Sequence, residues 1–248
     1  MRTFALALFL VAVSLTGQAE DPMRAQDIVR KSDELARRLE SYAKVTMQIE
    51  RPDWSRTLVL EGWTQGASNS FMRVLSPRKE KDVTFLKRGR EAWQYVPSVD
   101  RTIKIPPSMM LQSWMGSDFT NDDVVRADSL VVDYTHAIVE EPEEEGIRYW
   151  VIEALPFAEA PVVWGKVMLR IRQHDFVADR VDYYDEDDER VKYYQTFDIR
   201  VVDGLAVATR FTMYDLANPG YSTTLTYDDL SFSPDLKPGV FTVRNLKR

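Results

Sequence analysis

The apolar positions of this chain change period once, early. Ala25, Ile28, Ser32, Leu35 and Leu39 recur at helical steps, while Arg30, Lys31, Glu34, Arg37 and Arg38 occupy the opposite side. That spacing predicts one amphipathic helix, opened by Asp21 as N-cap with Pro22 behind it and ending near Tyr42. A single apolar stripe has to cover something, and the rest of the chain supplies a sheet. From Val45 onward the period is two. Val45, Met47 and Ile49 alternate with polar residues, and Leu58, Leu60 and Gly62 oppose Thr57, Val59 and Glu61. Further runs follow at 71–75, 83–86, 92–96 and 102–105, and again at 134–140, 147–154, 166–172, 177–184, 190–199, 206–214 and 222–232. Asp203-Gly204 between two of them is a strong hairpin marker.

Strand plus turn repeats roughly every ten residues, which fits an antiparallel meander rather than βαβ units. The expectation is a mainly β, α+β fold of about eleven strands, allowing that the shortest runs drop out. A sheet of that size curls. The economical architecture is an incomplete β-barrel with the first helix and short central helices over its concave side. Such a barrel either fills itself with side chains or keeps a cavity for an apolar ligand.

The strand pattern gives way to helix only between Ser108 and roughly Ala127, and the stretch that leads into this break is Trp93–Asp123, WQYVPSVDRTIKIPPSMMLQSWMGSDFTNDD. Trp93 and Tyr95 alternate until Pro97, and Pro106-Pro107 then open a run of large, soft apolar groups: Met109, Met110, Leu111, Trp114 and Met115. Gly116-Ser117-Asp118-Phe119 and the acidic Asn121-Asp122-Asp123 close it. Methionine repacks easily around varied shapes, so this is a poor rigid core and a good adaptable apolar surface. Gly116 reads as the end of one short helix and Ser117 or Asp118 as the cap of the next.

Composition narrows the chemistry. Residues 1–19 have a positive Arg2, an apolar stretch from Phe4 to Leu15 too short for a bilayer, and small residues at Gly17 and Ala19. They read as a signal peptide cleaved near Ala19, leaving residues 20–248 as a single domain in an exported protein. There is no cysteine, hence no disulfide, no thiolate metal site and no lipid-anchored N-terminus. The net charge of −7 argues against nucleic-acid binding. The acidic clusters at Glu140–Glu145 and Asp185–Glu189 read as solvated hairpin loops. His136 and His174 are the only histidines and lack metal-ligand spacing, so neither metal nor cofactor is expected. No Gly-x-Ser-x-Gly elbow or Gly-rich phosphate loop occurs, and Ser117 beside Asp118 cannot alone make a nucleophile–base line. The chain reads as a non-enzyme.

The pattern W-x-Y-x-P…R-x-I…M-G-S-D-F…D-D resembles the outer-membrane lipoprotein-sorting family related to LolA and LolB. Its residues here are Trp93, Tyr95, Pro97, Arg101, Ile103, Met115, Gly116, Ser117, Asp118, Phe119, Asp122 and Asp123. Ser76-Pro77, Phe85-Leu86 with Gly89, and Leu236–Leu246 with Phe241 extend the likeness over nearly the whole mature chain. The resemblance implies an unclosed barrel with a helical lid over an apolar cavity. It also implies a periplasmic carrier of lipoprotein or other lipid acyl chains, taken from an inner-membrane transporter toward the outer membrane. Transient contact with a membrane surface would follow. The basic residue with which such carriers hold the lid has two candidates, Arg73 and Arg101. On this reading the ligand-binding residues are Trp93, Tyr95, Met109, Met110, Leu111, Trp114, Met115 and Phe119. A second class of function, a periplasmic sensor or adaptor of an inner-membrane export permease, would use the same apolar surface.

Overall fold

A computed structural model describes residues 23–37, 40–126, 129–232 and 234–247. The signal-peptide reading and its cleavage point lie outside these residues, as do Asp21-Pro22 and Leu39. Helix α1, Ala25–Arg37, buries Ala25, Ile28, Val29 and Ser32 and leaves Arg30 and Lys31 exposed. It stops short of Tyr42, because Glu40 already begins a strand. Ser41 and Tyr42 face paired strands on both sides, and that ladder overrides the weak helical pattern at the boundary.

The first half of the sheet is β1 (Glu40–Arg51), β2 (Trp54–Gln65), β3 (Asn69–Ser76), β4 (Thr84–Arg88), β5 (Glu91–Val96) and β6 (Arg101–Lys104). A lid segment of short turns and helices follows, containing α2 (Asn121–Val125) and α3 (Ser129–Val132). The second half is β7 (Tyr134–Glu140), β8 (Glu143–Glu144), β9 (Ile147–Pro156), β10 (Lys166–Arg172), β11 (Ala178–Tyr184), β12 (Arg190–Val202), β13 (Leu205–Asp215) and β14 (Tyr221–Phe232).

All pairings are antiparallel, in the order β6-β5-β4-β3-β2-β1-β14-β13-β12-β11-β10-β9-β7, with β8 on β9. β1 pairs with β14, which joins the two halves into one sheet. Among the described residues the edge strands β6 and β7 do not pair with each other, so the barrel is incomplete. The fold class expected from periodicity is therefore the one observed, with 14 strands among the described residues instead of about eleven. The short runs survive because neighbours hold them: β4 lies between β3 and β5 and buries Thr84, Phe85, Leu86 and Lys87.

Two apolar clusters pack on the concave side. One places Ile28 and Val29 of α1 on Ile152, Val167, Leu169, Val181 and Met213. The other gathers Met47, Ile49, Leu58, Val74 and Phe85 around Trp114. The C-terminal tail pins Phe241 and Leu246 beside Phe71 and Leu86, and Thr84 Oγ1 donates to the Leu246 carbonyl at 2.8 Å. The Asp203-Gly204 turn joins β12 to β13 with both residues at positive φ, as its sequence predicted.

Candidate functional site

Between the two clusters the concave face does not fill itself. A cavity of about 540 Å³ remains under α1 and the lid segment. Its wall is mostly apolar: Val29 and Leu35 from α1, Val45 and Leu60 from β1 and β2, and Val181, Phe211 and Leu225 from the later strands. Trp114, Phe119, Val124 and Leu130 close it from the lid side. Phe211 is the hub of an aromatic wall. Phe119 meets it edge-on at 6.3 Å, with Tyr194 at 5.9 Å and Tyr227 at 6.3 Å.

The lid segment is held from outside and within. Arg51, at the end of β1, donates to the Gly116 carbonyl at 3.0 Å and to Asp118 Oδ2 at 3.1 Å. Thr223 Oγ1 of β14 donates to the same carboxylate oxygen at 2.6 Å and accepts from the Asp118 amide at 3.0 Å. Arg56 of β2 donates to the Met115 carbonyl. Met115 and Gly116 both take positive φ, 56° and 75°, which turns those carbonyls toward the arginines. On this side the cations that hold the lid segment are thus Arg51 and Arg56. Of the two predicted candidates, Arg73 pairs with Glu61 at 3.5 Å and Arg101 lies exposed on β6.

The predicted caps also shift. Thr120 is the N-cap of α2, and its hydroxyl and the Asp123 carboxylate form a reciprocal capping box. Ser117 Oγ instead donates to the Trp114 carbonyl at 2.6 Å, and Asp118 is committed to Arg51 and Thr223. On the far side of the lid, Asp123 accepts from Lys192 of β12 at 2.8 Å, while Lys192 lies 4.6 Å from the Trp164 ring centre and 4.9 Å from Tyr183. Asp122 lines the cavity beside Arg126 at 3.2 Å, and burial raises its carboxyl above the usual range. Burial also pushes the Tyr134 phenol up and the His136 imidazole down.

Of the predicted ligand residues, Trp114 and Phe119 reach the cavity wall. Met109 and Met110 pack behind the lid on Ala92, Ile105 and Val125. Their carbonyls take hydrogen bonds from the Asn121 side chain at 2.8 Å and the Asp122 amide at 2.9 Å. Leu111 is 61 % exposed. Met115 packs against the β1–β3 cluster, and Trp93 and Tyr95 against Phe71, Leu86 and Leu246. Phe211, Tyr194 and Tyr227 went unselected, since alternation marks an inward face without saying whether it meets core or void. Among the described residues, no three His, Cys, Asp or Glu side chains converge as a metal site.

Comparison with known proteins agrees with this geometry. A family model described only as that of an uncharacterized "-like" protein matches residues 66–248. No curated protein matches the chain. A DUF1329 family protein from Desulfovibrio piger superposes with a TM-score of 0.82 at 22% identity, over 90% of this chain and 97% of that one. A putative outer membrane lipoprotein-sorting protein domain from Vibrio parahaemolyticus gives 0.78 at 19%, over 90% and 98%. The LolA superfamily protein NE2245 from Nitrosomonas europaea gives 0.75 at 24%, over 90% and 99%. The chain belongs to the uncharacterized-protein family whose model spans residues 66–248, and its fold is like that of these three solved proteins.

Proposed function

We propose that this protein is a periplasmic carrier that shelters the acyl chain of a lipoprotein or another amphiphilic lipid in its cavity. In this role it moves the chain from an inner-membrane transporter toward the outer membrane. The observation that carries the reading is the apolar cavity of about 540 Å³ beneath a separately anchored lid. That volume falls in the range of roughly 300–1,000 Å³ typical of ligand pockets. Removing a methylene from water gains about 0.8 kcal/mol, so twelve of them gain roughly 10 kcal/mol. Residues 1–19 serve as the export signal and residues 20–248 as the carrier domain. Trp114 and Phe119 contact the cargo, Met109, Met110 and Met115 support the lid, Leu111 meets the donor or acceptor surface, and Trp93 and Tyr95 brace the adjoining sheet.

Gentle purification followed by mass spectrometry of an organic extract should recover bound lipid. Filling the cavity with Ala43→Trp or Ala208→Trp should cut the binding of a fluorescent fatty acid while the circular dichroism stays native. Both alanines line the cavity on strands the fold retains. An empty extract, together with unchanged titration in both variants, would refute the carrier reading. Co-purification of the empty protein with a permease would establish the adaptor instead.

A further inference from the structure

The two halves of the sheet carry opposite charge. From Arg73 on β3 to Lys104 at the end of β6, nine Lys or Arg meet four Asp or Glu. From Tyr134 to Phe232, which spans β7 to β14, nine Lys or Arg meet twenty Asp or Glu. The net charge of −7 conceals this separation. In the basic half, Arg73 pairs with Glu61 and Lys104 with Glu91. Arg78, Lys79 and Lys81 between β3 and β4, Arg88 and Arg90 at the β4–β5 turn, and Arg101 on β6 are exposed. Among the described residues, none of these six makes an ion pair or a side-chain hydrogen bond. The two turns lie at opposite ends of the five-residue strand β4, roughly 15–20 Å apart, too far to converge on one small ligand.

Apolar side chains stand exposed among these cations. Val99 is 60%, Ile103 42% and Leu111 61% exposed. Val99 and Ile103 flank Arg101 in the chain, and Ile103 lies two positions before Ile105, against which Met109 and Met110 pack. The apolar groups therefore run from the β6 edge onto the start of the lid segment, and none of the three lines the cavity. Dispersed positive charge with apolar groups between it matches a surface that is negative at its face and apolar just beneath. We propose that the β4–β6 half and the start of the lid segment dock on an anionic bilayer surface, the cations on lipid phosphates and Val99, Ile103 and Leu111 in the interface. The acidic half is repelled and faces away, which fixes the orientation. The docking does not depend on the carrier reading. Where both hold, the lid segment, and not the acidic strands, meets the membrane.

Flotation with vesicles tests this. Vesicles of phosphatidylethanolamine with about one-third phosphatidylglycerol should bind the purified protein at low salt and release it as salt is added, and phosphatidylcholine vesicles should not bind it. Arg88→Gln with Arg90→Gln should weaken binding by about 25-fold, roughly fivefold for each cation near the surface. Arg148→Gln with Arg200→Gln removes as much charge from exposed positions of the acidic half and should shift binding by less than about twofold. Ile103→Ser with Leu111→Ser should weaken binding and leave its salt dependence unchanged. Equal losses in the two arginine pairs, or no binding to anionic vesicles at low salt, would overturn the proposal. Retention on immobilised polyglutamate in place of vesicles would assign the surface to an acidic protein instead. Titration with a fluorescent fatty acid should be the same in all these variants. Lost vesicle binding with that titration intact leaves the carrier reading standing, and vesicle binding by a protein that takes up no fatty acid removes the carrier reading alone.

Discussion

Breaking the Arg51–Asp118 pair should both destabilise the protein and loosen its lid. The two side chains are 7% and 4% exposed and lie 3.1 Å apart. Asp118→Ala removes the acceptor of Arg51 Nη1 and of Thr223 Oγ1, and leaves a buried guanidinium with the carbonyls of Glu50, Gly116 and Ser222 and the Tyr221 and Trp54 rings around it but no carboxylate partner at this site. Truncating one partner of a buried ion pair costs about 3–5 kcal/mol, because the survivor stays charged without compensation. With a urea dependence of about 2 kcal/mol/M, the unfolding midpoint should fall by roughly 1.5–2.5 M. Arg51→Met should cost a similar amount. The double variant should cost less than the two singles together, by roughly 1–3 kcal/mol, since it leaves neither charge stranded. Urea unfolding followed by circular dichroism, with the dependence on urea checked for constancy, measures all three. A midpoint shift under about 0.5 M for Asp118→Ala, or strict additivity, would refute the reasoning, because the pair would then behave as a solvated surface contact.

Lys192→Met cuts the other anchor of the lid, the 2.8 Å bond to Asp123, and should cost about 3 kcal/mol while speeding amide exchange in residues 121–125 more than in α1. Gly165→Ala would set a Cβ 2.4 Å from the Asp185 carbonyl oxygen, a backbone atom that cannot swing away. A loss of about 2 kcal/mol, read as a Tm lower by roughly 4–8 °C, is expected. His136 donates from Nε2 to the Leu130 carbonyl at 2.7 Å, and burial holds its folded pKa below the usual 6.5. The unfolded chain therefore takes up the proton first. This contribution to stability is intact above pH 6.5 and is lost as the pH falls from there through the folded value. His136→Gln should flatten the stability profile below pH 6.5, and parallel profiles for the two proteins would count against a buried neutral imidazole.

Periodicity marked the strands because in a curved sheet each inward position is buried and each outward one is wet. Met47 and Ile49 are fully buried while Gln48 between them is exposed, and that contrast is written in residue order. The buried stripe of α1 was legible for the same reason. The lid was harder. Its composition singled out residues 109–119 as different, yet Met109 and Met110 support it from behind while Phe119 faces the cavity. In a short segment without regular period, the direction of each side chain depends on which groups the fold brings to it, as the Asn121 side chain turns to donate to the Met109 carbonyl.

By itself, then, the order of residues determined the element types, the turns that join them and the single break in the sheet. Those depend on backbone preference and on which face meets water, both local properties. The tertiary structure decided the rest. Arg51 lies 67 positions from Asp118, and Lys192 lies 69 from Asp123. The wall built by Phe211, Tyr194 and Tyr227 exists only once distant strands curve toward one another. A cavity is the space several elements leave between them, so no one segment of sequence encodes it.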